Sequence, residues 1–267
     1  MAKVRGFALL SALASLWLAA AGGRLAQADV ATARDRLTAG DYAGALTQLQ
    51  KPSAAERNAA GVLTARVLFI KGDLAGALIA LAPALTSNEP AARVLRAEVW
   101  RAQGKYDEAR KDLEALAAAR PDDRVVRRVL FTTMRDRGDV AAAQAIIKKT
   151  DDEYNAKKLD LDNVDDLFVL AEVARANHEH ELANSVYQEI QKLNPKQTEA
   201  NLRWAELFVE KYASELAAQT VEDTFKINPN DPDAHALMAA ITLETSYDLQ
   251  VVRKHLDAAL AVNRNHI

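Results

Sequence analysis

Four glycines set the frame of this chain. Gly40, Gly72, Gly104 and Gly138 stand 32, 32 and 34 residues apart, and each opens a short turn: Gly40-Asp41-Tyr42, Gly72-Asp73-Leu74, Gly104-Lys105-Tyr106 and Gly138-Asp139-Val140. Five residues after each glycine comes an alanine (Ala45, Ala77, Ala109, Ala143). Seven residues before come Ala33, Ala65, Ala97 and, as the exception, Phe131. A turn of this kind, with a small residue at a fixed distance on either side, describes two helices that meet closely and then repeat. An internal period of this length signals a stacked array of supersecondary units.

The stretch 90–123 is the clearest copy. Val94, Leu95, Ala97 and Trp100 recur at helical spacing over about Ala91 to Gln103, the mark of an amphipathic helix. Gly104-Lys105 supplies the turn, since glycine takes the positive φ that ends a helix. Ala109, Leu113 and Leu116 then pattern a second helix over about Tyr106 to Ala119, and Pro121 stops it. With Ala97, Gly104, Tyr106, Ala109 and Pro121 at these places, the segment resembles the tetratricopeptide repeat. The resemblance covers about 29–267 and is carried on by Ala171 and Ala183 around His178-Glu179-His180, by Ala205 and Ala217 around Tyr212, and by Ala240 and Ala259 around Tyr247. The stops Asn194-Pro195, Asn228-Pro229 and Asn263-Arg264 separate these later units.

The resemblance implies an all-α, right-handed superhelical solenoid of about seven helix-turn-helix repeats. The expected units are 29–57, 58–89, 90–123, 124–150, 164–197, 198–231 and 232–267. The polar stretch 151–163, DDEYNAKKLDLDN, is an insertion that lengthens a helix or forms a loop bending the superhelix. The last helix, about Asp248 to Val262, still carries Val251, Val252, Leu256 and Leu260 and no polar cap follows it. That pattern is expected where the array continues, meets a partner or self-associates.

Residues 1–28 differ in kind. Lys3 and Arg5 precede an uncharged apolar run, Phe7 to Ala21, and Ala26-Gln27-Ala28 offers a small-x-small cleavage site, the pattern of a secretory signal. Gly22-Gly23-Arg24 interrupts the run before the length of about 20 residues that a spanning helix needs. A periplasmic or secreted protein is expected. There is no Cys, which removes disulfides, thiolate metal sites, Cys nucleophiles and a lipid-anchoring cysteine. The 34 Lys and Arg, less Lys3, Arg5 and Arg24, leave 31 bases against 37 acids beyond residue 28, a net charge of −6. That balance argues against a nucleic-acid binder.

No catalytic constellation, cofactor motif or metal set is read from the residues. His178 and His180 are two apart at a turn and cannot share a helix face; His235, His255 and His266 are scattered. Asn228-Pro229-Asn230-Asp231-Pro232-Asp233 lacks the Gly and Glu of a calcium loop and reads as a turn in which Asp231 or Asp233 caps the next helix. The family's first helices line a concave groove that takes peptides or helices, so the expected site is a surface. In register, Phe69, Arg101, Arg135 and Arg175 share one repeat position, with Arg128 near the same face and Glu206, Glu210 and Glu244 following. Stacked arginines suit bidentate binding of a partner's carboxylates. The competing reading is plain intrahelical pairing, Glu98 with Arg101 and Glu172 with Arg175. Arg128 and Thr132 stand where a chaperone-tail clamp would have Lys and Asn. The expected function is an exported protein-binding scaffold without catalysis; the alternative is the repeat region of a longer exported enzyme such as a peptidase.

Overall fold

The computed structural model describes residues 29–266. The signal-sequence reading of residues 1–28 lies outside them. Fourteen helices follow one another, with no strand among the described residues. They pair as seven antiparallel hairpins. The first four are α1 (Val30–Thr38) with α2 (Tyr42–Gln48), α3 (Arg57–Ile70) with α4 (Leu74–Thr86), α5 (Pro90–Ala102) with α6 (Tyr106–Ala119), and α7 (Arg124–Arg137) with α8 (Val140–Asn155). The last three are α9 (Val164–Ala176) with α10 (His180–Leu193), α11 (Thr198–Glu210) with α12 (Ser214–Ile227), and α13 (Pro232–Thr245) with α14 (Leu249–Val262). First helices pack on first helices, α1 on α3, α3 on α5, α5 on α7, α7 on α9 and α11 on α13, so their shared face forms one wall of an all-helical solenoid. None of these helices is long and apolar enough to cross a membrane.

The Gly-Asp dipeptides explain how three of the hairpins close. Gly40, Gly72 and Gly138 take φ of 75°, 76° and 79°, conformations open to glycine without steric cost. The aspartate that follows caps the second helix: Asp41 accepts from Gly44 N–H at 2.8 Å, Asp73 from Gly76 N–H at 2.8 Å and Asp139 from Ala142 N–H at 3.1 Å. The turns of the last three units reach the same left-handed region with His178, Tyr212 and Tyr247, at φ 63°, 56° and 54°. Ala33, Ala65, Ala97, Ala45, Ala77 and Ala109 are all fully buried where the helices cross. The seventh unit departs from the expected register. Ala240 is exposed and Ala239 is buried in its place, while Val252 fills the position that Ala45 and Ala77 occupy elsewhere. The backbone N–H of Tyr247 bonds to Thr242 O, five residues back, where Gly40 at the same place in the first unit bonds to Leu37 O, three back, so the end of α13 holds one residue more before a turn of the usual length.

Seven units complete a circuit. The hairpin turns of units one and two rest on the segments that follow units six and seven. Asn228 Nδ2 donates to Tyr42 Oη at 3.1 Å, Asn230 Nδ2 donates to Gly40 O at 3.3 Å, and Tyr42 Oη–H reaches Asn230 O at 3.4 Å. Val262 packs on Tyr42, Ala45 and Val67, and Asn263 covers Gly72. Burial pushes the Tyr42 phenol up to about 12 and the Asp231 carboxyl, which caps α13 within the same turn, up to about 6.

This seam gives a test. A methyl group on Gly40 would fall on Asn228 Oδ1 and 3.3 Å from Asn230 Cβ, whereas one on Gly104 meets nothing within 4 Å. Both glycines have positive φ, so alanine costs about 1 kcal/mol of backbone strain at either position. Only at Gly40 must Asn228 also move, and its side chain is tied to Tyr42, Asp231 and the N–H of Asn230. Gly40→Ala is therefore expected to lower the unfolding midpoint more than Gly104→Ala and to raise the radius of gyration in small-angle scattering. Equal midpoints and unchanged scattering would show that the seam contributes nothing.

Candidate functional site

The inner wall is built from α1, α3, α5, α7, α9, α11 and α13, and the structure brings the ladder residues onto it. Phe69, Arg101, Arg135 and Arg175 each lie three residues before a hairpin turn. Their pairing is not intrahelical. Glu98 accepts from Arg66 of the preceding unit. Glu172 is buried and accepts from Tyr187 Oη–H at 2.7 Å within its own hairpin. Arg101 instead donates through Nη2 to Asp136 Oδ2 at 2.6 Å, and Arg175 through Nη2 to Glu210 at 2.5 Å and Nη1 to Glu206 at 2.8 Å. In both cases the acid lies 35 residues on, one position past the ladder site of the next unit. The expectation of local pairing is corrected on this point: the acid that meets each guanidinium comes from the next unit, across the helix interface.

For Arg135 the corresponding position, one past the ladder site of the next unit, holds a short apolar side chain, Ala176 at the end of α9. Arg135 is exposed and has no ion pair among the described residues; its guanidinium lies 5.7 Å from the centroid of the Phe131 ring on its own helix. The other candidates are engaged. Arg128 stacks over Phe168 at 4.2 Å and reaches past unit five to Glu199, Nη1 to Oε1 at 2.6 Å. Phe69 is half-buried beneath Arg66. Glu206 accepts from both Arg175 and Arg203.

The charge balance follows from these contacts. Burial raises the Glu199 carboxyl, but the Arg128 guanidinium, with help from Arg203 and Arg66, outweighs it and holds the group below the usual carboxylate range. Hydrogen bonds from Arg175 do the same for Glu210. Arg135 apart, the ladder arginines and the acids that meet them are thus neutralised pair by pair. Asp136, Glu199, Arg66 and Arg203 were missed as parts of it; a scan for opposite charges offset by one repeat length would have found Asp136 and the Arg66–Glu98 pair, while Glu199 pairs across two units and obeys no single period.

The histidines require a second correction. His235 and His255 are not scattered: their Nδ1 atoms are 2.9 Å apart, both rings lie against Phe225, and His235 Nε2 is 3.0 Å from Pro229 O. With Nε2–H donating to that carbonyl, Nδ1 of His235 accepts from Nδ1–H of His255. Burial lowers the pKa of both, while Asp233, 2.7 Å from His266, raises that of His266. No group of three or more His, Asp or Glu able to hold a metal is present among the described residues. At the chain's end Val252 is buried, so of the four apolar residues expected to be free for self-association only Val251, Leu256 and Leu260 are exposed.

No protein-family model and no curated protein matches the sequence. Solved structures do match. A chain of the Cut9–Hcn1 hetero-tetramer of APC/C superposes with a TM-score of 0.52 at 15% identity, over 89% of this chain and 45% of that one. A tetratricopeptide repeat protein from Parabacteroides merdae gives 0.47 at 15% identity, over 86% and 97%. YrrB, described as a TPR protein with an unusual peptide-binding site, gives 0.40 at 14% identity, over 69% and 93%. With fourteen helices in seven hairpins among its described residues, this chain has the fold of a tetratricopeptide-type solenoid.

Proposed function

We propose that this protein is an exported, non-catalytic scaffold that holds a protein or peptide partner against the inner wall of its solenoid. Residues 1–28 support the export, by the charged start, apolar core and Ala26-Gln27-Ala28 site; a periplasmic or secreted location follows from that reading. The observation that carries the binding reading is Arg135, a ladder arginine left without an acid on a wall whose other ladder arginines are paired. An exposed guanidinium beside an aromatic ring is a ready partner for a carboxylate, which it grips with two parallel N–H donors. The partner's contacting group is therefore an acidic side chain or a C-terminal carboxylate.

The test is affinity capture from envelope extract of the source cell, with residues 29–267 immobilised beside Arg135→Glu and Arg135→Lys variants. Arg101 and Arg175 are unsuited to this purpose, because reversing them also breaks contacts between units. A protein retained by the native column is expected to bind Arg135→Glu at least tenfold more weakly, the equivalent of about 1.4 kcal/mol. Arg135→Lys, which keeps the charge and loses the fork, should fall between the two. Undiminished retention by Arg135→Glu would remove Arg135 from the site.

A further inference from the structure

The hairpin turns of the solenoid line one edge, and that edge changes character along the chain. At Gly40 and Gly72 it lies under the seam, covered by Asn228 and Asn263, where no side chain fits. At Gly104 and Gly138 it is open and carries glycine. In units five, six and seven the left-handed turn position holds His178, Tyr212 and Tyr247. Tyr212 is 89% exposed and Tyr247 is 74% exposed, so neither gains burial in return for a backbone conformation that suits glycine better. Fold stability does not account for them. Leu216, Leu243 and Leu249 are exposed beside the same turns.

The charges around these rings are also distinctive. Glu179, Glu181, Glu215, Glu244 and Asp248 are exposed at the three turns. None of them forms an ion pair among the described residues, although Glu179 accepts from Asn177 Nδ2 and Asp248 caps α14. Within the same span the basic residues are Lys211, the histidines His178 and His180, and Arg175, which Glu206 and Glu210 already engage. Beyond these turns about half of the acids are paired, and on the inner wall Glu98, Asp136, Glu199, Glu206 and Glu210 all are. An edge of exposed aromatic faces set among unneutralised carboxylates complements a flexible cation: the ring quadrupole attracts it over the face, and the carboxylates steer it in. The same charge repels a nucleic acid.

We infer that the turns of units five to seven form a second docking surface, distinct from the inner wall, for a Lys- or Arg-rich segment of a protein partner. Aromatic contact supplies the selectivity and the acids supply the encounter. The contribution of the tyrosines separates from that of the fold, because glycine at these positions restores the residue type of the first four turns. It should leave the unfolding midpoint unchanged or raise it.

The experiment is fluorescence anisotropy of a labelled octa-arginine peptide titrated with the purified protein, the Tyr212→Gly/Tyr247→Gly variant and the Arg135→Glu variant. The double variant is expected to bind about tenfold more weakly at an equal or higher unfolding midpoint, and Arg135→Glu to bind as the native protein does. Glu179→Gln/Glu181→Gln/Glu215→Gln/Glu244→Gln should weaken binding at low salt and flatten its salt dependence. Native-strength binding by the tyrosine variant would mean that the peptide answers only to net charge, and the proposal falls. Loss of binding on Arg135→Glu, or no binding to the native protein at low salt, overturns it equally.

Discussion

Phe131→Ala is expected to remove about 3–5 kcal/mol of stability, the range for emptying a fully buried aromatic site. Phe131 sits seven residues before its turn, where Ala33, Ala65, Ala97, Ala171 and Ala205 stand in other units, and like them it is inaccessible. The substitution installs the neighbours' residue without the neighbours' spacing. Around Phe131 the core comprises Met134, Ala143, Ile147, Val169 and Val173 from α7, α8 and α9, helices held apart by a ring rather than a methyl group. In an array whose stability is a sum of neighbour interfaces, the damage falls where units three, four and five meet. Urea unfolding should therefore separate into two transitions, one for each side of unit four. A loss below about 1 kcal/mol would mean that this hairpin closes onto alanine as the others do.

Much of the fold was legible because repeat architecture writes itself into local sequence. Gly104 and Tyr106, Ala97 and Ala109 specify a turn and a close crossing with no knowledge of anything distant. Gly-Asp encodes both the stop of one helix and the cap of the next. The errors have a common source. Counting back from Tyr247 points to Ala240, but one extra residue at the end of α13 moves the buried position to Ala239. Glu98 and Glu172 read as partners of arginines three residues away, since sequence proximity is the only distance a sequence states. The structure gives Glu98 to Arg66, 32 residues earlier. The seam between Tyr42 and Asn228 spans 186 residues and depends on the accumulated curvature of seven units, to which no single repeat points. The candidate site shared both fates: the alignment of Arg101, Arg135 and Arg175 was readable, but which of them stays unpaired rests on what the next unit carries.

Glu153→Ala is expected to cost about 3 kcal/mol, at the lower edge of what breaking a buried ion pair costs. Glu153 lies within the polar stretch 151–163, which reads as spare material between units four and five. In the structure α8 runs on through Asn155, and Glu153 faces back into the protein. Arg127, only 6% exposed, donates Nη1 to Glu153 Oε2 at 2.5 Å and Nη2 to Oε1 at 3.0 Å. Arg124 Nη1 lies 3.0 Å from the same carboxylate, while its Nε holds Asp166 at the start of α9. Asp166 in turn accepts from the N–H of Asp160 at 2.7 Å, and Leu159 is tucked beneath. The insertion is thus a strut between the fourth and fifth hairpins. Removing the carboxylate strands a buried guanidinium that has one weak acceptor left, Pro121 O at 3.3 Å. Burial pushes the Glu153 carboxyl up, but Arg127 and Arg124 pull it down further, so its folded pKa lies below 4.5. A depressed carboxylate stabilises fully above its unfolded value and loses that contribution as pH falls through the folded one. Native protein should therefore lose stability as pH falls below about 4.5, and Glu153→Gln, already short of the charge, should lose less over the same fall. Urea midpoints at pH 7 and pH 3.5 for both proteins decide it; parallel declines would mean that the strut is held by Asp166 and Leu159 and not by the Glu153 charge.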